Sequence, residues 1–205
     1  MPADSHAPSP PSGTVRAGAP LPLYLALFFL LICINSLVAK FVVFTFQLAP
    51  GVSLFYIVVA CMIIFTLWFG LWGAGATYIG CFIGAGLLSD IPAGVAIYWS
   101  FADLWEVLIP FMVFRVMHAD PGISTRRDLF ILLISGCFLN NIVGAVWGSA
   151  TLALGGEIPW DAVIPTMTGW MVVNWIVCFI LVPPVLYLIT PYIREHELFV
   201  TRYWN

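Results

Sequence analysis

The feature that most constrains this chain is a series of long apolar runs, which starts near Leu21 and continues to Ile189 with few charges between. A helix of about 20 apolar residues spans a bilayer. Only 8% of the 205 residues are charged, whereas a soluble domain carries about 25%. We therefore expect an all-α, polytopic membrane protein.

The apolar runs predict six transmembrane helices. The second and third follow each other through Phe69, Gly70 and Leu71 almost without a loop, so five spans are the main alternative. Pro183 and Pro184 are expected to kink the last span or end its regular part, because proline donates no backbone hydrogen bond. The six segments cover roughly residues 21–46, 53–69, 71–88, 93–116, 129–154 and 163–189.

The charges favour six spans with both termini in the cytoplasm. Positive residues mark the cytoplasmic side, and six spans bring every arginine to one side, whereas five would divide them. We expect an inner-membrane protein with a disordered cytoplasmic tail (1–20), a six-helix domain (21–190) and an interfacial cytoplasmic tail (191–205). The arginines are Arg16, Arg115, Arg126, Arg127, Arg194 and Arg202; the opposite loops carry Asp90, Glu157 and Asp161.

Two segments carry small residues at helical spacing. Small residues that recur every four positions leave a groove in which another helix can approach closely. In the third segment the groove would accept another helix of this chain or a coupling partner. The predicted packing residues are Ala76, Gly80 and Gly84 in the third segment and Gly136, Gly144 and Gly148 in the fifth.

Asp103 and Glu106 are the first candidates for function, because they share one face of an apolar helix. Ionisable groups inside a membrane are costly and usually face a partner or a cavity, and Lys40 could supply the opposite charge. A buried ion pair that joins two helices is the structural alternative. The predicted ligand site adds amides and aromatic walls from other segments, namely Asn140, Asn174, Trp99, Trp170 and Trp175.

Several classes of function receive no support from the residues. The net charge of −3 does not favour nucleic-acid binding. Phosphate-binding loops, zinc-protease motifs and nucleophile elbows are absent from the sequence, so we expect no enzyme. Neither the cysteines nor the histidines have the spacing of a metal site, and the residues name no cofactor.

The middle of the chain resembles the bacterial membrane-associated sensor domain of the first type. The similarity rests on GLWGAGATYIGCFIGAGLLSD, SFADLWEVLIPFMVFR and WMVVNWIVCFILVPPVLYL. In that family a glycine-rich helix precedes a helix with an Asn-x-x-Glu-like element; Glu106 matches the glutamate, and Asp103 stands at the asparagine. The resemblance implies a sensor, although that family is longer and is fused to a kinase or cyclase.

The size, six spans and cytoplasmic ends are also similar to the substrate-binding S component of energy-coupling-factor vitamin transporters. That family meets its coupling subunit through small residues of the first helix, whereas here the stripe lies in the third. Both resemblances imply a membrane module that binds a small molecule and passes the ligand or a signal to a partner subunit. A sensor for a separate kinase or cyclase and a non-catalytic scaffold of a larger membrane complex are the alternatives.

Overall fold

The computed structural model describes residues 19–45, 47–49, 52–53 and 56–204, with side chains over 19–41 and 56–204. Five helices of this part are long and apolar enough to cross a membrane. The protein is therefore a multi-pass helical membrane protein in contact with lipid. Nearly all of the predicted N-terminal tail, residues 1–18, lies outside the described residues.

The described part of the chain forms a helical bundle, and short segments of it depart from α-helical geometry. π-Helical segments follow α3 at Phe82–Gly86 and connect α6 to α7 at Leu133–Leu139, and 3-10 turns lie at Leu87–Ser89 and Trp160–Ala162. The elements are α1 (Leu21–Thr45), an antiparallel hairpin of β1 (Gln47–Ala49) and β2 (Val52–Ser53), α2 (Val58–Phe69), α3 (Leu71–Cys81), α4 (Ala93–Trp99), α5 (Phe101–Val116), α6 (Arg126–Leu132), α7 (Asn140–Leu154) and α8 (Val163–Arg194).

The second predicted span forms a shorter helix than the sequence suggested. α2 has 12 residues, which at 1.5 Å per residue is about 18 Å, against about 30 Å of hydrocarbon. The hairpin before it contacts α1 and α8, so strands and a short helix together occupy this part of the bundle. Apolarity marked the segment as buried without deciding its secondary structure.

The small-residue stripe of α3 packs against α1. A Cβ atom at Gly80 would approach the side chain of Asn35, and one at Gly84 would overlap the backbone of Ser36. Ala76 on the same stripe is fully buried. The groove is therefore occupied by another helix of this chain.

One end of the bundle gathers the chain after α8 and the ends of several helices. Residues 195–204, here the C-terminal segment, run beneath the junction of α2 and α3: the N–H of Val200 donates to the Trp68 carbonyl at 2.8 Å, and the N–H of Leu71 donates to the Tyr203 carbonyl at 2.8 Å. Tyr24 at the start of α1 donates to the Glu197 carbonyl at 3.4 Å. The start of α1 and the C-terminal segment thus meet at this end.

The junction between α2 and α3 depends on Gly70. Its φ of 60° is left-handed, and a Cβ atom there would overlap the carbonyl of Tyr203. Other side chains rarely adopt this backbone conformation. The reversal between the two helices and the close approach of the C-terminal segment therefore need the same glycine.

Arginines lie at this end, which we call the arginine end. Arg115 at the end of α5 donates to the carbonyls of Thr201 and Val200 at 2.7 and 2.9 Å. Arg194 pairs with Asp120 in the loop after α5. Burial raises the pKa of Asp120, but hydrogen bonds from the Gly122 N–H and Ser124, together with the charge of Arg194, outweigh it and hold the pKa below its ordinary value.

The opposite end, the acidic end, joins the end of α1 to the turn after α3 and the start of α4. Lys40 donates to the carbonyl of Leu88, and Gly155 lies against Val95. The loops here contain Asp90, Glu157 and Asp161. Arg115 and Arg194 thus lie at the other end of the bundle from these three acidic residues.

α8 continues through both of its central prolines to Arg194. Of the two effects expected of Pro183 and Pro184, a kink or an end of the regular helix, the second therefore does not occur. Each proline removes one backbone donor, and in a membrane bundle neighbouring helices and local adjustments compensate for that loss. α8 therefore includes residues 191–194, which the sequence analysis counted with the C-terminal tail.

Candidate functional site

Glu106 lies near the middle of the span from Ala93 to Val116 and is 0% exposed. Its Oε1 accepts hydrogen bonds from Trp170 Nε1 at 3.0 Å and from Asn174 Nδ2 at 3.2 Å. Both donors lie on α8, four residues apart and therefore on one face. Oε2 of Glu106 has no hydrogen-bond partner among the described residues.

Asp103 precedes Glu106 by one helical turn and is 1% exposed. Its Oδ2 accepts a hydrogen bond from the Tyr56 hydroxyl at 3.0 Å, and the buried Cys81 thiol of α3 also lies against this carboxylate. Oδ1 has no hydrogen-bond partner by geometry among the described residues. Tyr56, just before α2, was missed in the sequence analysis. A single phenol within an otherwise apolar run was the available signal, because a buried tyrosine hydroxyl needs a partner.

Asn140 and Asn141 connect α7 to this pair. Asn140 Nδ2 donates to the backbone carbonyl of Glu106 at 2.9 Å, and that carbonyl has no helical partner because position 110 is a proline. Asn141 Nδ2 donates to the Cys137 carbonyl at 2.9 Å and to Asn140 Oδ1 at 3.2 Å. Asn140 therefore positions α5, and Asn141 retains an unpaired Oδ1 within the described structure.

Trp99 and Trp170 form an aromatic wall. Their ring centroids are 5.9 Å apart at 57°, and Trp99 is 2% exposed with its Nε1 unpaired in the described part of the chain. We call the whole set the polar cluster: Tyr56, Trp99, Asp103, Glu106, Asn140, Asn141, Trp170 and Asn174.

Two glycines of α7 make room for the polar cluster. A Cβ atom at Gly144 would overlap the carboxylate of Glu106, and one at Gly148 would lie 2.5 Å from the ring of Trp170. The sequence analysis assigned both to helix packing, and the structure places them against these two side chains. Gly136, by contrast, lies against Pro110 of α5.

Two residues of the predicted site lie elsewhere. Trp175 stacks on Phe138, with centroids 4.8 Å apart, and donates to its carbonyl at 3.2 Å. Phe138 is partly exposed, so this pair belongs to the outer surface between α8 and the π-helical segment. Lys40 is at the acidic end, where it donates to Leu88.

Both π-helical segments lie beside the polar cluster. Leu133–Leu139 leads directly into Asn140, and Phe82–Gly86 follows Cys81 on α3, next to α4. Such segments within helices occur frequently at functional sites. Their irregular backbone bonding gave no signal in the sequence beyond the glycines that they contain.

The polar cluster brings two carboxylates together with neutral hydrogen-bonding groups. Its hydrogen-bond partners are a phenol, an indole and amides, and both carboxylates keep one oxygen unpaired among the described residues. No group of three metal-ligating side chains occurs within that part of the chain. A separate groove of about 530 Å³ between α4 and α7 is apolar and includes Tyr98, Trp147 and Leu154.

Comparison with known proteins gives no matching family model, no matching curated protein and no matching solved structure.

Proposed function

We propose that this protein is a small-molecule-recognition subunit of the cytoplasmic membrane, with the polar cluster as its ligand site. One observation carries the proposal: the fully buried carboxylate of Glu106 has two donors on Oε1 and none among the described residues on Oε2. An unpaired buried polar atom costs roughly 1–3 kcal/mol, and more when it is charged. A ligand that donates to this oxygen would remove that cost.

The charges support an orientation for the site. Positive residues favour the cytoplasmic side, which assigns the arginine end to the cytoplasm and the acidic end to the outside. With α2 counted as a short sixth crossing, both ends of the helical domain are cytoplasmic. Trp99 and Asp103 lie on the acidic side of Glu106 along the chain, so a ligand would enter from the outer face.

The subunit is proposed to pass its ligand, or a signal, to a partner. α1 already fills the stripe of Ala76, Gly80 and Gly84, so the partner would use a different surface. α8 offers one, because Ile176, Ile180 and other large apolar side chains on it are exposed.

A sensor is the second candidate, and the C-terminal segment favours it. α5 carries Glu106 and, nine residues later, Arg115, which donates to Val200 and Thr201. The two side chains are separated by about 13 Å of one helix. A ligand that displaced α5 would therefore act directly on the chain that leaves the membrane.

Native mass spectrometry of the full chain, purified from its own membranes in mild detergent, tests the proposal. The wild type should carry a small molecule that is lost in Glu106→Gln, because glutamine keeps the Oε1 acceptor but places an amide at Oε2. Asp161→Asn, which removes an exposed carboxylate at the acidic end, should retain it.

Three other outcomes would contradict or refine the proposal. A ligand that survives Glu106→Gln would exclude the polar cluster as its site. A fixed set of partner subunits without any small molecule would refute recognition and favour the scaffold. Copurification of a kinase or cyclase together with the ligand would favour the sensor over a transport subunit.

A further inference from the structure

The unpaired atoms of the polar cluster are mostly acceptors. Asp103 Oδ1, Glu106 Oε2 and Asn141 Oδ1 have no donor within the described structure. The assignment of the Asn141 oxygen is consistent with its surroundings, since the nitrogen faces two acceptors, the Cys137 carbonyl and Asn140 Oδ1. The site therefore needs a ligand that donates several hydrogen bonds.

The donors already present do not add positive charge. Tyr56 binds Asp103, while Trp170 and Asn174 bind Glu106, and each of these side chains is neutral. Charge-assisted hydrogen bonds from a cation to a carboxylate are roughly twice as strong as neutral ones. A positively charged donor therefore matches both carboxylates better than a neutral one.

The aromatic wall also favours a cation. Trp99 and Trp170 lie 5.9 Å apart at an angle, and tryptophan faces attract ammonium groups. Trp99 Nε1 is the unpaired donor of the cluster, so a matching ligand would carry an acceptor as well. A bare metal ion would leave that indole unmatched, and the described residues hold no metal-ligating triad.

We propose, on the basis of the proposed function, that the ligand is a small ammonium compound, a protonated primary amine that also bears a hydrogen-bond acceptor. Its N–H groups would donate to the free oxygens of Glu106, Asp103 and Asn141. Its acceptor would receive the Trp99 indole N–H.

The cluster is closed, since Glu106 and Asp103 are almost fully buried. Entry therefore requires helices to move apart. The π-helical segment Leu133–Leu139 packs against α5, and Phe82–Gly86 packs against α1 and against α4, which carries Trp99. A helix can change its register at such a segment without losing the bonding of the turns beyond it.

Thermal unfolding of the full chain in nanodiscs, followed by tryptophan fluorescence at fixed ionic strength, tests this inference. The probes are ethanolamine, ethylammonium, tetramethylammonium, sodium and acetate at millimolar concentrations. Ethanolamine should raise the unfolding temperature most and ethylammonium less, because ethylammonium has no acceptor for Trp99. Tetramethylammonium keeps the attraction to the tryptophan faces but has no N–H group, so it should raise the unfolding temperature least of the three organic cations.

Glu106→Gln should weaken ethanolamine binding about tenfold or more, which corresponds to about 1.4 kcal/mol. Asp103→Asn keeps the acceptor for Tyr56 and provides a second test should Glu106→Gln not fold. Asp161→Asn should bind as the wild type does.

Stabilisation by sodium or acetate that exceeds that by both amines would overturn the ammonium inference and leave the proposed function standing. Equal effects of ethanolamine and tetramethylammonium would overturn the role of the N–H donors. No effect of either amine on the folded wild type would overturn the inference, and the absence of any bound molecule in native mass spectrometry would also remove the proposed function.

Discussion

At the scale of single residues, the site depends on two glycines as much as on its polar side chains. Glu106 fits between α5 and α7 because Gly144 has no Cβ atom, and Trp170 fits because Gly148 has none. Introducing atoms into a closely packed interior forces side chains or backbone to shift. The geometry of the site therefore requires Gly144 and Gly148 as much as it requires the residues that carry its polar groups.

Gly144→Ala should destabilise the protein by about 1–3 kcal/mol, because the added methyl group overlaps the Glu106 carboxylate. Thermal unfolding in detergent micelles measures the effect. Gly94→Ala on α4 is the matched control, since a Cβ atom there meets nothing within 4 Å. Equal unfolding temperatures for Gly144→Ala and Gly94→Ala would show that the carboxylate can move aside.

At the scale of elements, α5 lacks one backbone hydrogen bond, and a side chain of α7 replaces it. Pro110 leaves the carbonyl of Glu106 without its helical donor, and Asn140 supplies one from the neighbouring helix. This bond fixes the backbone at the same residue whose side chain forms the site. From the sequence, Asn140 was a predicted ligand contact, with a hydrogen bond between helices as the alternative, and its relation to a proline thirty residues earlier was not predictable.

Asn140→Ala should cost about 1 kcal/mol or more of stability in the wild type, because it leaves a buried carbonyl unpaired. In a Pro110→Ala background the helix can supply the missing N–H, so the same substitution should cost less. A double-mutant cycle on the free energy of unfolding measures this coupling. Additive costs would mean that Asn140 does not act through the Glu106 carbonyl.

Elements and their partners were predictable to different degrees. The apolar runs located the long helices of the described residues. The intramembrane charges marked Asp103 and Glu106 as the first candidates for function. Both signals are local in the sequence. Which of the second and third predicted spans would be the short one, here the 12-residue α2, was not predicted, because hydropathy does not distinguish a buried short helix from a span. Tyr56 was also missed, because its partner Asp103 comes from a distant helix.

At the scale of the whole molecule, the C-terminal segment joins parts of the chain that are far apart in sequence. It accepts hydrogen bonds from Leu71 and Arg115 and donates one to Trp68. Val200, at its centre, is fully buried. These contacts make the arginine end a connected layer that includes α2, α3 and α5.

Arg115→Ala should release this segment while the helices stay folded. The guanidinium makes two hydrogen bonds to the Val200 and Thr201 carbonyls, and their loss should lower exchange protection of the Val200 and Leu71 amides by roughly tenfold, which is about 1.4 kcal/mol. Hydrogen exchange read by mass spectrometry checks this. Arg202→Ala, an exposed arginine of the same segment, is the control; equal protection in both variants would refute the role of Arg115.

The position of Gly70 also has a consequence for biogenesis. The turn between α2 and α3 emerges early from the ribosome. The C-terminal segment, which covers this turn around Val200 and Tyr203, is synthesised only after the described helices. The turn at Gly70 therefore remains without its covering segment while α3 to α8 are translated and inserted.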